Sequence, residues 1–142
     1  MRRWRLPIAL LLVIALSALV LRHFSQKRTQ EKREAGYQSA VRSYSEVLRP
    51  GMPRKEVEDY LRARNVEFRQ MCCVETSNRF STNVYDDLTK IGQEDAPWFC
   101  SEKNVYVAFQ FTGPQRNASG PTADASDRLR AVTLYRWLEG CM

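Results

Sequence analysis

The chain is poor in the groups that most catalytic and metal-binding sites use. Its only histidine is His23, beside an apolar run, so a serine or cysteine nucleophile would lack a histidine base within reach. The four cysteines, Cys72, Cys73, Cys100 and Cys141, contain no C-x-x-C pair and have no histidine near them, which removes the usual zinc spacing. Only six glycines are present, and they form no phosphate-cradling loop. The carboxylate neighbours Asp86-Asp87 and Glu94-Asp95 read as solvated turns, because no spacing converges them on a pocket. No catalytic residue, cofactor or metal site is expected, and the chain is read as a non-enzyme.

Acidic charge is also scarce, but only at one end. The 142 residues carry 22 Lys+Arg, 16 Asp+Glu and a net charge of +6. Residues 1–36 hold eight Lys+Arg and two Asp+Glu, whereas residues 37–142 hold fourteen of each. The basic excess is therefore terminal, and the neutral remainder gives no electrostatic footprint for nucleic acid. Residues 37–142 are enough to fold as one domain.

Residues 1–24 read as a membrane anchor. After Arg2, Arg3 and Arg5, a run of apolar or weakly polar residues extends from Leu6 to Leu21 and is closed by Arg22 and His23. As a helix, Trp4 through Phe24 spans about 31 Å, close to the hydrocarbon thickness of a bilayer. Trp4 suits the interface, while Arg5 and Arg22 can extend their charges to water. A cleaved signal peptide is the competing reading, but its best small-x-small site, Ala15-Leu16-Ser17, lies inside the apolar run. No cysteine precedes Cys72, so a lipid-modified N-terminal cysteine is not expected. Cations flank both sides, so charge alone does not set orientation. The cysteines favour a C-terminal domain on the periplasmic side. Residues 25–36 mix charges of both signs without apolar periodicity and read as a solvated helical stalk.

From Tyr37 the pattern changes. Tyr37, Ala40, Val41, Tyr44, Val47 and Leu48 recur at helical spacing until Pro50-Gly51. A second helix is predicted from Pro53 to about Asn65, with Val57, Tyr60, Leu61 and Arg64 on one side. Alternation then predicts a strand over 66–74 and an exposed or irregular one over 84–91. The clearest strands are last, with Val105, Val107, Phe109 and Phe111 in the first and 129–138 in the second, predicted as a hairpin. The connection from Thr112 to Arg128 is polar and rich in turn formers, and it is expected to carry few contacts. Its Asn117-Ala118-Ser119 fits a glycosylation triplet, a pattern that often arises by chance.

If Phe111 stands opposite Leu129, residue 100 stands opposite residue 140, next to Cys141. A disulfide between Cys100 and Cys141 is therefore the favoured pairing, with Cys72 or Cys73 bonded to Cys100 as the other possibility and four thiols in a cytosol-facing domain as the third. The same register places Tyr106 near Leu134. One sheet face must pack on the helices, which leaves the other, partly apolar face as a possible docking surface, and Trp98, Tyr106, Tyr135 and Trp137 are the possible partner-binding residues.

Two helices followed by antiparallel strands, the inter-helix turn PGMPRKEVEDYL and a last strand opening SDRLRAVTLYR resemble the SmpA/OmlA, or BamE-like, envelope domain. Gly51-Met52 leads into the second helix, Val57 and Leu61 lie on its face, and Asp127 and Leu129 open the closing strand. The layout is also similar to the repeat of the β-lactamase-inhibitor-like proteins. The resemblance implies an α+β fold, two helices on a three- or four-stranded antiparallel sheet, and a non-catalytic domain that binds another envelope protein. With the lipid bilayer as a second partner, the expected function is that of a membrane-anchored binding domain. An inhibitor-like module acting on an enzyme and a cytosol-facing adaptor are the alternatives.

Overall fold

Proline and glycine set the helix boundaries. The computed structural model describes residues 5–72, 84–114 and 120–142, with side chains from Leu16 onward. In it α1 runs Arg5–Ser45 and α2 runs Arg54–Ala63. Between them Gly51 takes a φ of 93°, a left-handed conformation that glycine adopts without a Cβ penalty. Pro53 precedes the first turn of α2 in extended geometry, as suits a residue with no N–H to donate. The segment read as a stalk is part of the continuous helix α1.

Four antiparallel strands follow: β1 Arg69–Met71, β2 Asp86–Glu94, β3 Glu102–Thr112 and β4 Arg128–Glu139. They lie in the order β1-β2-β3-β4, so each is joined to its spatial neighbour. The class is α+β, two helices on a four-stranded antiparallel sheet. Residues 73–83 lie outside the described residues, and with them the end of the strand predicted over 66–74. Asp86-Asp87 predicts an exposed or irregular strand over 84–91, and here the structure differs: both aspartates are buried. Neither is a solvated turn, since each accepts an internal hydrogen bond, Asp86 from the Phe111 amide and Asp87 from Arg54.

The strand hairpin has the expected partners at its loop end, where Phe111 faces Leu129. A bulge at Arg130 then shifts the register by one, pairing Tyr106 with Tyr135 rather than with Leu134 and Glu102 with Glu139. Continued past the strand ends, the shifted register brings position 100 opposite 141. An extra residue in one strand cannot be read from alternation alone.

Contacts divide the chain into Met1–Gly36 and Tyr37–Met142. In the first unit Leu16, Leu19, Val20, Leu21 and Phe24 are exposed. Among the described residues no helix is long and apolar enough to cross a membrane. Trp4 lies outside the described residues, as do the side chains of 6–15, which supply most of the apolar run.

In the second unit the core lies between the helices and one sheet face. Leu48, Val57 and Leu61 meet Val107, Phe109, Phe111 and Leu129, and Tyr44 packs edge-on against Phe109 at 5.3 Å. Side chains alternate along β3, so Leu88, Tyr106 and Ala108 form a smaller cluster with Met71 and Tyr135 on the other face. The connection from Thr112 to Arg128 is not loosely held in its second half. Thr122 accepts a hydrogen bond from the Tyr85 amide at 2.9 Å, and Ala125 accepts one from the Lys55 amide at 3.2 Å. The Asn117 triplet lies outside the described residues.

Gly92, which follows the bulge in β2, is needed for a close approach. A Cβ there would stand 2.7 Å from the Tyr37 hydroxyl and 2.8 Å from its ring. Gly92→Ala should therefore destabilise the domain by about 1–3 kcal/mol through overpacking. The penalty should shrink in a Tyr37→Leu background, and a double-mutant cycle in denaturant measures that coupling. Equal penalties in both backgrounds would show that Tyr37 is not the obstacle.

Candidate functional site

The buried Arg54 is the first polar feature the helix pattern conceals. As the first residue of α2 it points inward with Val57 and Leu61, and only 2% of its surface is exposed. Its Nη1 donates to Asp87 Oδ1 at 2.6 Å, its Nη2 to the Tyr85 carbonyl, and its Nε lies 3.5 Å from Asp127 Oδ2. The guanidinium sits 3.9 Å from the centre of the Phe111 ring. Burial pushes the Asp87 carboxyl up to about 7, a rise that Arg54 opposes and that Glu58 and Asp86 assist. This cluster ties α2 to β2 and to the start of β4, and it presents no open surface to a substrate.

The open site is on the other sheet face. Along β3, Glu102, Asn104 and Tyr106 alternate onto that face, and β4 places Glu139, Trp137 and Tyr135 opposite them. Glu102, Asn104, Tyr106 and Glu139, with Arg69 of β1 and Lys90 of β2, surround a cleft of about 280 Å³ that Glu67, Phe68 and Leu88 also line. The Tyr106 ring is buried, and its hydroxyl accepts from Arg69 Nη2 and donates to Glu139 Oε1 at 3.1 Å. Burial and the bond to Glu139 both raise the Tyr106 hydroxyl above its ordinary pKa. Glu139 is held below the ordinary carboxylate range, foremost by the hydrogen bond from Arg69 and also by those from Asn104 and Tyr106.

The four aromatic positions singled out from the sequence do not share one environment. Tyr106, Tyr135 and Trp137 share the outer sheet face, where Tyr135 and Trp137 lie 5.9 Å apart and Trp137 is 37% exposed. Trp98 stands apart in the β2–β3 connection, 90% exposed and edge-on to Phe99. Beside it Cys100 is joined to Cys141, and the Met142 amide donates to the Phe99 carbonyl at 2.9 Å. Cys72 is also disulfide-bonded, and no cysteine among the described residues is free. Cys73 lies outside the described residues.

Arg54, Asn104, Glu102 and Glu139 were not anticipated as site residues. The alternation that identified Val105 and Val107 as core also assigns Glu102, Asn104 and Tyr106 to one face, which was the available signal for three of the cleft residues. For Arg54 the signal was its i, i+3, i+7 spacing with Val57 and Leu61. Among the described residues no group of three or more His, Cys, Asp or Glu could hold a metal ion. No protein-family model, curated protein or solved structure matches the chain.

Proposed function

We propose that the chain is a membrane-anchored, non-catalytic domain held on the periplasmic side, where it binds another envelope protein through the outer face of its sheet. The observation that carries the reading is the Cys100–Cys141 disulfide, because such bonds persist in oxidising compartments and are rare in a reducing cytosol. The terminal basic cluster and the run from Leu6 to Leu21 support an anchor, and exposed Leu16, Leu19, Leu21 and Phe24 supply apolar surface for lipid. Tyr135 and Trp137, of the residue types that dominate binding hot spots, supply surface for a partner on the outer face. The SmpA/OmlA-like reading of the fold belongs to the same proposal.

Cell fractionation tests it. The full chain should stay with membranes after a high-salt wash, and alkaline phosphatase fused after Met142 should be active. A soluble form beginning at Ala18, or an inactive fusion that is nevertheless expressed, would overturn the anchored periplasmic reading.

A further inference from the structure

The chain enters its second unit at one definite end of the sheet. Tyr44 packs on Phe109, and two turns upstream Tyr37 lies against Gly92, which pairs with Val105. From Tyr44 back to Tyr37 the helix covers about 10 Å, while its contacts move four residues along β3, about 13 Å, towards the start of that strand. This part of α1 therefore runs roughly along β3. Tyr37 marks the end of the unit where β2 stops at Glu94 and β3 begins at Glu102.

The β2–β3 connection at that end carries Trp98, 90% exposed, and the exposed Phe99, with exposed Leu138 and Met142 beside them. This is not a slack loop. The Cys100 amide donates to the Pro97 carbonyl at 2.9 Å and the Met142 amide to the Phe99 carbonyl at 2.9 Å, while the disulfide fastens Cys100 to Cys141. Large apolar side chains braced in contact with water mark an interaction surface.

The charges around it are largely answered within the domain. Glu94 pairs with Lys103 at 2.8 Å and with Arg136 at 3.0 Å, and Glu139 pairs with Arg69 at 3.0 Å. With those cations committed to carboxylates and Asp95 exposed on the same connection, this end is not built to attract anionic headgroups. Its apolar groups are what remain to bind.

The occupant follows from the tether. Between Phe24, where the proposed anchor stops, and Tyr37 lie twelve residues, about 18 Å as a helix. A tether that short presents the bilayer surface to the domain at high effective concentration, and tryptophan is a residue type that collects at the headgroup level.

We infer that Trp98, with Phe99, Leu138 and Met142, docks on the surface of the bilayer that holds the anchor, a second membrane contact that orients the domain and leaves the outer sheet face to a protein partner. The inference rests on the proposed anchor and adds to it a contact made by the folded domain.

The test uses the full chain reconstituted in phosphatidylcholine vesicles, with Trp4→Phe and Trp137→Phe so that Trp98 is the one tryptophan left. Replacing the lipid with phosphatidylcholine brominated near the headgroup end of an acyl chain should lower Trp98 emission by about half or more, in low and in high salt alike. A companion chain with Trp4→Phe and Trp98→Phe reports Trp137 on the outer face, and its emission should fall far less. Trp98 and Trp137 are both solvent-exposed, so phenylalanine at either leaves the core intact. Mixed insertion does not blur the result, since either orientation brings the tip to a leaflet. Unquenched Trp98 in floated vesicles would overturn the inference, leaving the patch to a protein partner if iodide reaches the ring and to a second copy of the chain if it does not. Equal quenching of Trp98 and Trp137 would also overturn it, because the sheet would then lie flat on the lipid. A chain absent from the floated vesicles would overturn the anchor itself, so the two failures are told apart.

Discussion

Arg54→Met is expected to lower the unfolding free energy by about 3–5 kcal/mol at pH 8 and by distinctly less at pH 5. Removing one member of a buried ion pair leaves its partners desolvated and uncompensated, and that imbalance costs more than the pair itself contributed. Here two carboxylates are affected, Asp87 and Asp127, both buried beyond solvent contact. The pH dependence follows from Asp87. Its folded pKa, about 7, lies above the ordinary aspartate value of roughly 3.9. An acid raised in the folded state contributes stability that is complete below the unfolded pKa and is lost as pH rises through the folded one. Taking Arg54 away removes the interaction that lowered Asp87, so its carboxyl rises further and keeps its proton at pH 5. At pH 8 the variant must bury an anion or protonate against the solvent. Denaturant unfolding at the two pH values measures the difference. A loss below about 1 kcal/mol at pH 8 would mean that the domain relaxes and hydrates the two aspartates. Adding Asp87→Leu to Arg54→Met should recover part of the loss, because the costly buried charge is then gone.

Arg54 also marks where sequence reasoning stops. The helices, the hairpin and the Cys100–Cys141 bond were legible because apolar periodicity and strand alternation are local patterns. Asp86 and Asp87 were misread for the opposite reason. Their burial depends on Arg54, 33 positions from Asp87, and on the Phe111 amide, 25 positions from Asp86. Charged neighbours in sequence look solvated until a distant counter-charge is known. Likewise, alternation assigns Asn104 to the outer face, but that its Oδ1 is buried without a donor becomes visible only when Glu102 is seen holding the other end of the amide. The bulge at Arg130 is a third case. It moved Tyr106 from Leu134 to Tyr135, and a disulfide inferred one position out of register proved to be the right pair because the extra residue brought 141 opposite 100.

Cys141→Ser carries the second large effect, a loss of about 2–4 kcal/mol. The bond closes a sequence separation of 41, for which chain entropy gives roughly 4 kcal/mol of constraint on the unfolded state. The full amount is not expected in practice, since β4 is paired with β3 as far as Glu139 whether or not the bond is present. What the bond adds in the folded state is the closure of the sheet end, where Ser101 donates its amide to the Glu139 carbonyl at 3.0 Å and the Met142 amide meets Phe99. Cys141 is exposed, so replacing its sulfur leaves no cavity, and the loss reports the cross-link rather than packing. Thermal unfolding of oxidised wild type and variant supplies the magnitude. Non-reducing peptide mapping of envelope-purified protein should recover the peptides of Cys100 and Cys141 as one species. A variant as stable as wild type would show that strand pairing alone holds the end of β4. Free alkylation of both thiols in intact envelopes would remove the bond, and with it the main support for the proposed periplasmic location.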